Sequence, residues 1–313
     1  MCIRDRIDDS SIWLLACSRT DVEASETPRT SRVFRDSGLA VFRDRDAYVY
    51  IDAAPFSDPE FPHHGHADAL SFVACGPAGQ LLIDPGGYGY YDDKFRRFFR
   101  STAAHNTIEI DGENQSQLFG VLGYGRLAST VVEDFHCSES FDYLRATHDG
   151  YAPVSHTRAF FLCKRPRNTL IILDRLTGSG PHRCVSRFHA APGVTINSQE
   201  KQVLMTKSSD VFHFAIAASM DLEQRVVRAR SDGEVQGWVS PETREVTAAD
   251  TLELECNISG HCTLLVAIGL ESDEPVSAKL DASSHATVSV AGEVISLTRE
   301  KGAGALQIEN YDY

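Results

Sequence analysis

The chain has no apolar run long enough to cross a bilayer. Its longest, Cys262–Leu270, is strand-sized, well short of the roughly 18 residues a spanning helix needs, so an integral helical membrane protein is excluded. It is poor in basic charge: 30 Lys and Arg against 44 Asp and Glu leave a net charge of −14. That argues against a general nucleic-acid binder, which carries a basic face, and mainly favours solubility. Eight cysteines are present without a Cys-x-x-Cys pair, too few for a small disulfide scaffold. They read as buried small hydrophobes, and only Cys256 and Cys262 stand where a hairpin could pair them. Internal repeats and low-complexity tracts are missing, and helical periodicity is scarce. What remains is ordinary globular composition, 313 residues with 42% hydrophobic and 24% charged. At about 150 residues per domain that length makes roughly two domains or one large all-β domain.

The opening residues MCIRDRIDDSS carry charge but no apolar core, so they do not read as a signal peptide. We expect the chain to be the C-terminal part of a longer protein. Residues 18–34 are polar and Pro-containing, as a linker is. From Gly38 onward, strand signals recur. GLAVFR and AYVYIDA flank a charged turn and predict a hairpin. ALSFVAC, QLLID, NTIEID, STVVED, TRAFFLCK, TLIILD, CVSRFHA, VFHFAIA, QRVVRA, CTLLVAIG, ATVSV and EVISLT follow, punctuated by Gly, Asp, Asn and Pro. Many short strands with turns between them predict an all-β fold, a large antiparallel β-sandwich. The best helix candidate is Asp92–Ser101, where Phe95, Phe98 and Phe99 share a face and Arg96, Arg97 and Arg100 point elsewhere. Residues 230–251 are polar and acidic and read as an excursion between two groups of strands.

Chemistry-bearing residues concentrate in Pro62–Gln117, which reads HHGHADALSF, LLIDPGGYGYY and KFRRFFRSTAAHNTIEIDGENQS. His66, Asp84 and His105 each lie at the edge of a predicted strand. Two imidazoles and a carboxylate make a zinc-type donor set with a fourth position for water or substrate. His63 and His64 supply two more imidazoles, so the spacing alone allows more than one assembly. The bland alternative is that Asp84 caps the Pro85-Gly86 turn and His105 is a hydrogen-bonded core residue. The segment Lys94–Arg100 is a basic cluster of the kind an anionic glycan needs, since guanidinium groups bind carboxylates bidentately. Gly86, Gly87 and Gly89 allow close backbone approach. His189 reads as core, and Gly120–Gly125 as either a cleft loop or a plain hairpin.

The pattern GHADALSF–LLIDPGGY–RSTAAHNT–DGENQS resembles the C-terminal β-sandwich of the heparinase II/III-like polysaccharide lyases, in which an α/α toroid precedes the sandwich and the active cleft lies between them. The resemblance implies β-elimination on an acidic, uronate-containing polysaccharide, with His66, Asp84 and His105 holding a structural zinc. It implies substrate-facing, catalytic roles for His64 and Tyr88, and it makes residues 1–34 a remnant and linker from a missing toroid. The sandwich core with the metal site is then expected over 35–230 and the final strands over 231–313. Arg97, Arg100, Asn106 and Gln115 are the candidates for substrate contact. For Asn106 and Gln115 the competing role is to satisfy backbone groups in turns, for Tyr88 to pack at a sandwich edge, and for His64 to support the metal site from behind. The resemblance also implies a periplasmic or secreted protein. Two other functions stay open on the sequence: a non-catalytic carbohydrate-binding or exopolysaccharide-assembly module, and a metal-dependent hydrolase.

Overall fold

The computed structural model describes residues 30–56, 62–91, 93–199, 202–283, 285–299 and 306–309. Strict alternation builds the first layer. Strands β1 (Arg32–Phe34), β2 (Leu39–Asp44), β3 (Ala47–Asp52), β4 (Ser71–Gly76) and β5 (Gly79–Leu82) pair in chain order as an antiparallel meander. Ala47, Val49 and Ile51 of β3 are buried while their neighbours are partly exposed, as expected of a sheet with one face on a core. The hairpin turn at Arg45-Asp46 uses a left-handed residue, Arg45 at φ 49°.

The second layer is a ten-stranded sheet. Its strands are β6 (Ile108–Ile110), β9 (Thr130–Cys137), β10 (Phe141–His148), β11 (Ser155–Cys163), β12 (Thr169–His189), β13 (Val194–Gln199), β14 (Gln202–Lys207), β15 (Asp210–Ala218), β16 (Glu223–Arg228) and β19 (Asp250–Gly269). The spatial order is β13-β14-β15-β19-β12-β11-β10-β9, with β16 also on β19 and β6 also on β12. Two short pairs, β7–β8 (Leu118–Phe119, Gly123–Tyr124) and β17–β18 (Trp238–Val239, Thr247–Ala248), lie outside it. The third layer is the four-stranded sheet β20–β23 (Val276–Leu280, Ala286–Val290, Glu293–Arg299, Leu306–Glu309).

Burial explains the stacking. Phe160, Leu162, Ile172, Phe188, Val266 and Ile268 point from the large sheet into one core shared with Phe42, Val49, Ile51 and Phe72 of the first layer. The alternate residues Phe161, Ile171, Leu173, Leu265 and Ala267 form a second core with Val276, Val288 and Ile295 of the third layer. A sheet covered on both faces reads as continuous apolar sequence rather than alternation, and TLIILD and CTLLVAIG are of that kind.

TLIILD and CVSRFHA, two strands by their punctuation, are one. β12 runs through Gly178 and Pro181 because its partner β19 continues opposite it, and the register shifts between Thr177 and Pro181. An irregularity of this kind is where a proline without a donor is tolerated. The helix α1 (Lys94–Arg100) is capped by Asp93, whose side chain accepts from the Phe95 and Arg96 amides. Arg96 and Arg100 turn inward rather than to solvent, at 3% and 1% exposure. Cys256 and Cys262 are buried free thiols, not a disulfide.

Phe160 is fully buried in the shared core, so Phe160→Ala should lower the unfolding free energy by about 3–5 kcal/mol, measured by denaturant titration.

Candidate metal centre and substrate cleft

The site is held from behind by one guanidinium. Arg158, on β11, is fully buried. Its Nε and Nη2 donate to Asp174 Oδ1 and Oδ2 at 2.7 and 2.9 Å, and its Nη1 donates to the Leu70 and Asn106 carbonyls at 2.9 and 2.7 Å. Those carbonyls belong to the two loops that carry His66 and His105. Asn106 completes the clamp: its Nδ2 donates to Phe72 O and Ile83 O, and its Oδ1 accepts from the His189 amide at 2.6 Å. Thr102 and Thr107 donate to Ala67 O and Ala69 O, and Gln115 Nε2 donates to Ala69 O at 3.0 Å. Behind Asp174, His156 lies 2.7 Å from Oδ1 and His148 lies 3.0 Å from His156. The Gly150 amide donates to His148 Nδ1, which assigns both rings a neutral tautomer donating toward Asp174. Burial lowers both histidines' affinity for a further proton.

On this frame, His66, Asp68 and His105 bring ligand-capable atoms within 4.8 Å of one another. Asp84 joins them from the end of β5, with Oδ2 2.7 Å from His105 Nδ1 and Oδ1 accepting from the Gly86 amide. His105 is wholly buried whereas the Asp84 side chain is 43% exposed, so the pair faces an opening. Burial works to raise the Asp84 carboxyl, but the charge and hydrogen bond of His105 hold it down at about 2. Burial works to lower His105, and Asp84, with the charges of Asp68 and Asp52, more than offsets it. Burial pushes Asp68 up to about 7 and, with the neighbouring His105 charge, pulls His66 down to about 3. His105 Nε2 is buried without a partner among the described residues. Two imidazoles, two carboxylates and an orphaned ring nitrogen fit a nitrogen- and oxygen-ligated divalent cation such as zinc.

A cleft of about 360 Å³ opens beside His66, lined by His64, Tyr88, Tyr90, Arg96 and Thr243. His64 Nδ1 lies 2.8 Å from the Tyr90 hydroxyl. Tyr88 sits at φ 59°, and its ring stacks on Phe99 and tilts against Phe95. The excursion after β16 walls the cleft: Ser240 N donates to Pro85 O and Arg244 N to Tyr88 O, both at 2.7 Å. Gly86 (φ 95°) is required there, because a Cβ would stand 2.6 Å from Ser240 O.

Of the four candidates for sugar contact, three are interior. Asn106 and Gln115 are committed as above. Arg100 donates to Gly120 O, Val121 O and Gly123 O and lies over the Tyr124 ring. Gly120–Gly125 is therefore a hairpin whose carbonyls hold Arg96 and Arg100 of α1. Arg97 alone is exposed, and it lines a different cleft. His189 is 1% exposed, in the core. Sequence reasoning missed Asp68 and the Ser240–Arg244 wall, and it offered Arg96 only as part of the Lys94–Arg100 cluster. The His66-Ala-Asp68 spacing was a usable signal, since residues two apart in extended chain face one way.

A sequence profile described as "Heparinase II/III-like, C-terminal" matches residues 26–291. No curated protein sequence gives a significant match. Among solved structures, a heparinase III has TM-score 0.71 at 19% identity over 86% of this chain and 42% of its own. The heparan sulfate lyase HepC from Pedobacter heparinus has TM-score 0.70 at 14% identity over 89% of this chain and 42% of its own. A further heparinase III structure has TM-score 0.71 at 16% identity over 85% and 42%. At these identities the likeness is one of fold, and the chain spans about two fifths of the length of each.

Burial works to raise Asp174, but Arg158 and His156 hold it down at about 2 from an ordinary 3.8. A carboxyl lowered on folding contributes stability above its unfolded pKa and loses it as pH falls through the folded value. Asp174→Asn should cost about 3–5 kcal/mol near neutral pH by leaving Arg158 uncompensated. The gap from wild type should narrow between pH 3.8 and about 2, as followed by denaturant titrations across that range.

Proposed function

The chain belongs to the heparinase II/III-like family, and from that membership we propose that it forms one wall of the active cleft of a polysaccharide lyase, cleaving an acidic, uronate-containing polysaccharide by β-elimination. The observation that carries the proposal is the adjacency of the His66, Asp68 and His105 cluster, with Asp84 bonded to His105, to the cleft holding His64 and Tyr88. The structural relatives whose titles name heparinases and a heparan sulfate lyase support the substrate class. Because the chain spans about two fifths of their length, we assign the whole activity to this domain together with a preceding toroid.

In the proposed reaction a base removes the weakly acidic C5 proton of the uronate, and an acid protonates the departing O4. The developing negative charge on the carboxylate must be neutralised. His64, steadied by the Tyr90 hydroxyl, and Tyr88, fixed by its ring stacking, are the groups this chain offers for proton transfer. His66, Asp84 and His105 would hold the metal, with Asp68 beside them. Bound there, it would supply positive charge amid carboxylates and fix the cleft wall. Arg100, Asn106 and Gln115 serve the substrate indirectly by holding the loops that face it.

Elemental analysis of the purified chain should find about one zinc per chain, lost in both His66→Ala and His105→Ala. A metal-free wild type, with thermal stability unchanged in both variants, would overturn the metal assignment. With the toroid joined, the product should absorb in the ultraviolet through its unsaturated uronate, and Tyr88→Phe and His64→Ala should each lower kcat by about 10²-fold or more. Products without that absorbance would indicate hydrolysis and sink the lyase reading.

A further inference from the structure

We infer that the face of α1 turned away from the metal centre forms a second, basic cleft that holds a carboxylate or sulfate group of the glycan at a unit remote from the one being cleaved. The inference rests on the polysaccharide reading above and extends it. Helix α1 divides its charges. Arg96 and Arg100 turn to the β7–β8 carbonyls, while Lys94, Arg97, Phe98 and Ser101 line a separate cleft of about 380 Å³. The spacing i, i+3, i+4, i+7 is one helical face.

Across this cleft stand Arg187 from β12 and Arg230 from the excursion, with the carboxylates Glu109 and Glu234; Arg230 is paired to Glu234, and Arg187 to Glu109 and to Glu253 behind it. The clefts beside the metal centre differ: one presents Asp52, Asp68 and two histidines, the other Arg96 with Glu242. The floor of the basic cleft is built rather than incidental. Arg187 is 2% exposed, with Nε on Glu253 at 2.8 Å and Nη2 on Glu109 at 3.3 Å, and its Nη1 is buried with no partner among the described residues. Asn114 accepts the Thr102 amide through Oδ1, which leaves its Nδ2 group among the cleft's donors. Lys94 donates to the Ser231 carbonyl at 3.3 Å and lies over the Phe95 ring, and Lys94 and Arg97 are solvent-exposed. The cleft therefore offers cationic and amide donors on one anion-sized concavity, which is the chemistry that recognises a sugar carboxylate or sulfate ester.

The test is calorimetric binding of two size-defined hexasaccharides, one heparin-derived and sulfated, one an unsulfated polyuronate, to the full chain. Arg97→Glu and the Lys94→Glu/Arg97→Glu double variant are compared with Lys279→Glu, the same charge change on the third layer. The expected result is a loss of about tenfold or more in affinity for Arg97→Glu, greater in the double variant. Lys279→Glu should stay within about threefold of wild type, and the effect should shrink at 1 M salt, where charge is screened within about 3 Å. Unchanged melting temperatures would show that the exposed-site variants fold. A loss confined to the sulfated probe assigns the site to sulfate; a loss on both assigns it to carboxylate. Wild-type binding left unaltered by both cleft variants, or lowered equally by Lys279→Glu, would overturn the second cleft while leaving the polysaccharide reading intact. A wild type that binds neither hexasaccharide would overturn both.

Discussion

Everything at the site hangs on the buried pair of Arg158 and Asp174. Neither side chain touches the cleft. A buried ion pair of this kind adds little net stability, because desolvation consumes most of its Coulombic gain. Its value here is geometric. The guanidinium is rigid and planar, and only two of its hydrogen bonds go to Asp174. The remaining two fix the Leu70 and Asn106 carbonyls, so one group on a central strand sets the distance between the loops carrying His66 and His105. Loops usually have more freedom than the elements they join. These two are tied to the interior by Arg158, Asn106, Thr102, Thr107 and Gln115, and the chemistry-bearing loops inherit the stiffness of the sheet.

The three-layer stacking is what makes such a tether possible. β11 and β12 are covered on both faces, so an arginine on β11 that reaches toward the first layer is out of water along its whole length. There it must be fully bonded, since an unpaired buried donor is costly. Its donors find main-chain carbonyls at the point where the first layer ends and the 105–107 loop crosses the sheet. Site and core are thus one hydrogen-bonded object, and His156 and His148 extend it outward from Asp174 as neutral rings.

The sequence carried the fold class well, because sandwich strands announce themselves by short β-branched and aromatic runs between turns. It failed where tertiary context outvoted local signals. β12 crosses Gly178 and Pro181 as one strand because β19 lies opposite throughout. β10 hides because FDYLRATH mixes charge with apolar residues, and its buried Asp142 is answered by Lys164 from a neighbouring segment. At the site, His66, Asp84 and His105 were legible as ligand types. Their convergence was not, since strand-edge positions do not state which edges meet. Asp68 escaped notice although it stands two residues from His66. Arg96 and Arg100 were read as outward because helical periodicity separates faces without saying what covers them. The β7–β8 hairpin, one of the two readings GVLGYG allowed, supplies the carbonyls that draw both inward.

Electrostatics give the last constraint. Asp52, Asp68 and Asp84 surround His105, and the protein resolves their repulsion by splitting their states. Asp84, facing the opening and bonded to the imidazole, is held at about 2, while the buried Asp68 rises to about 7. Interacting groups of this kind titrate as a set rather than one by one. The arrangement is stable when a proton or a cation occupies the middle. A proton on His105 offsets their charge but leaves its Nε2 without a partner among the described residues. Helix α1 likewise splits its charges, with Arg96 and Arg100 turned in to brace the hairpin and Lys94 and Arg97 turned out to solvent.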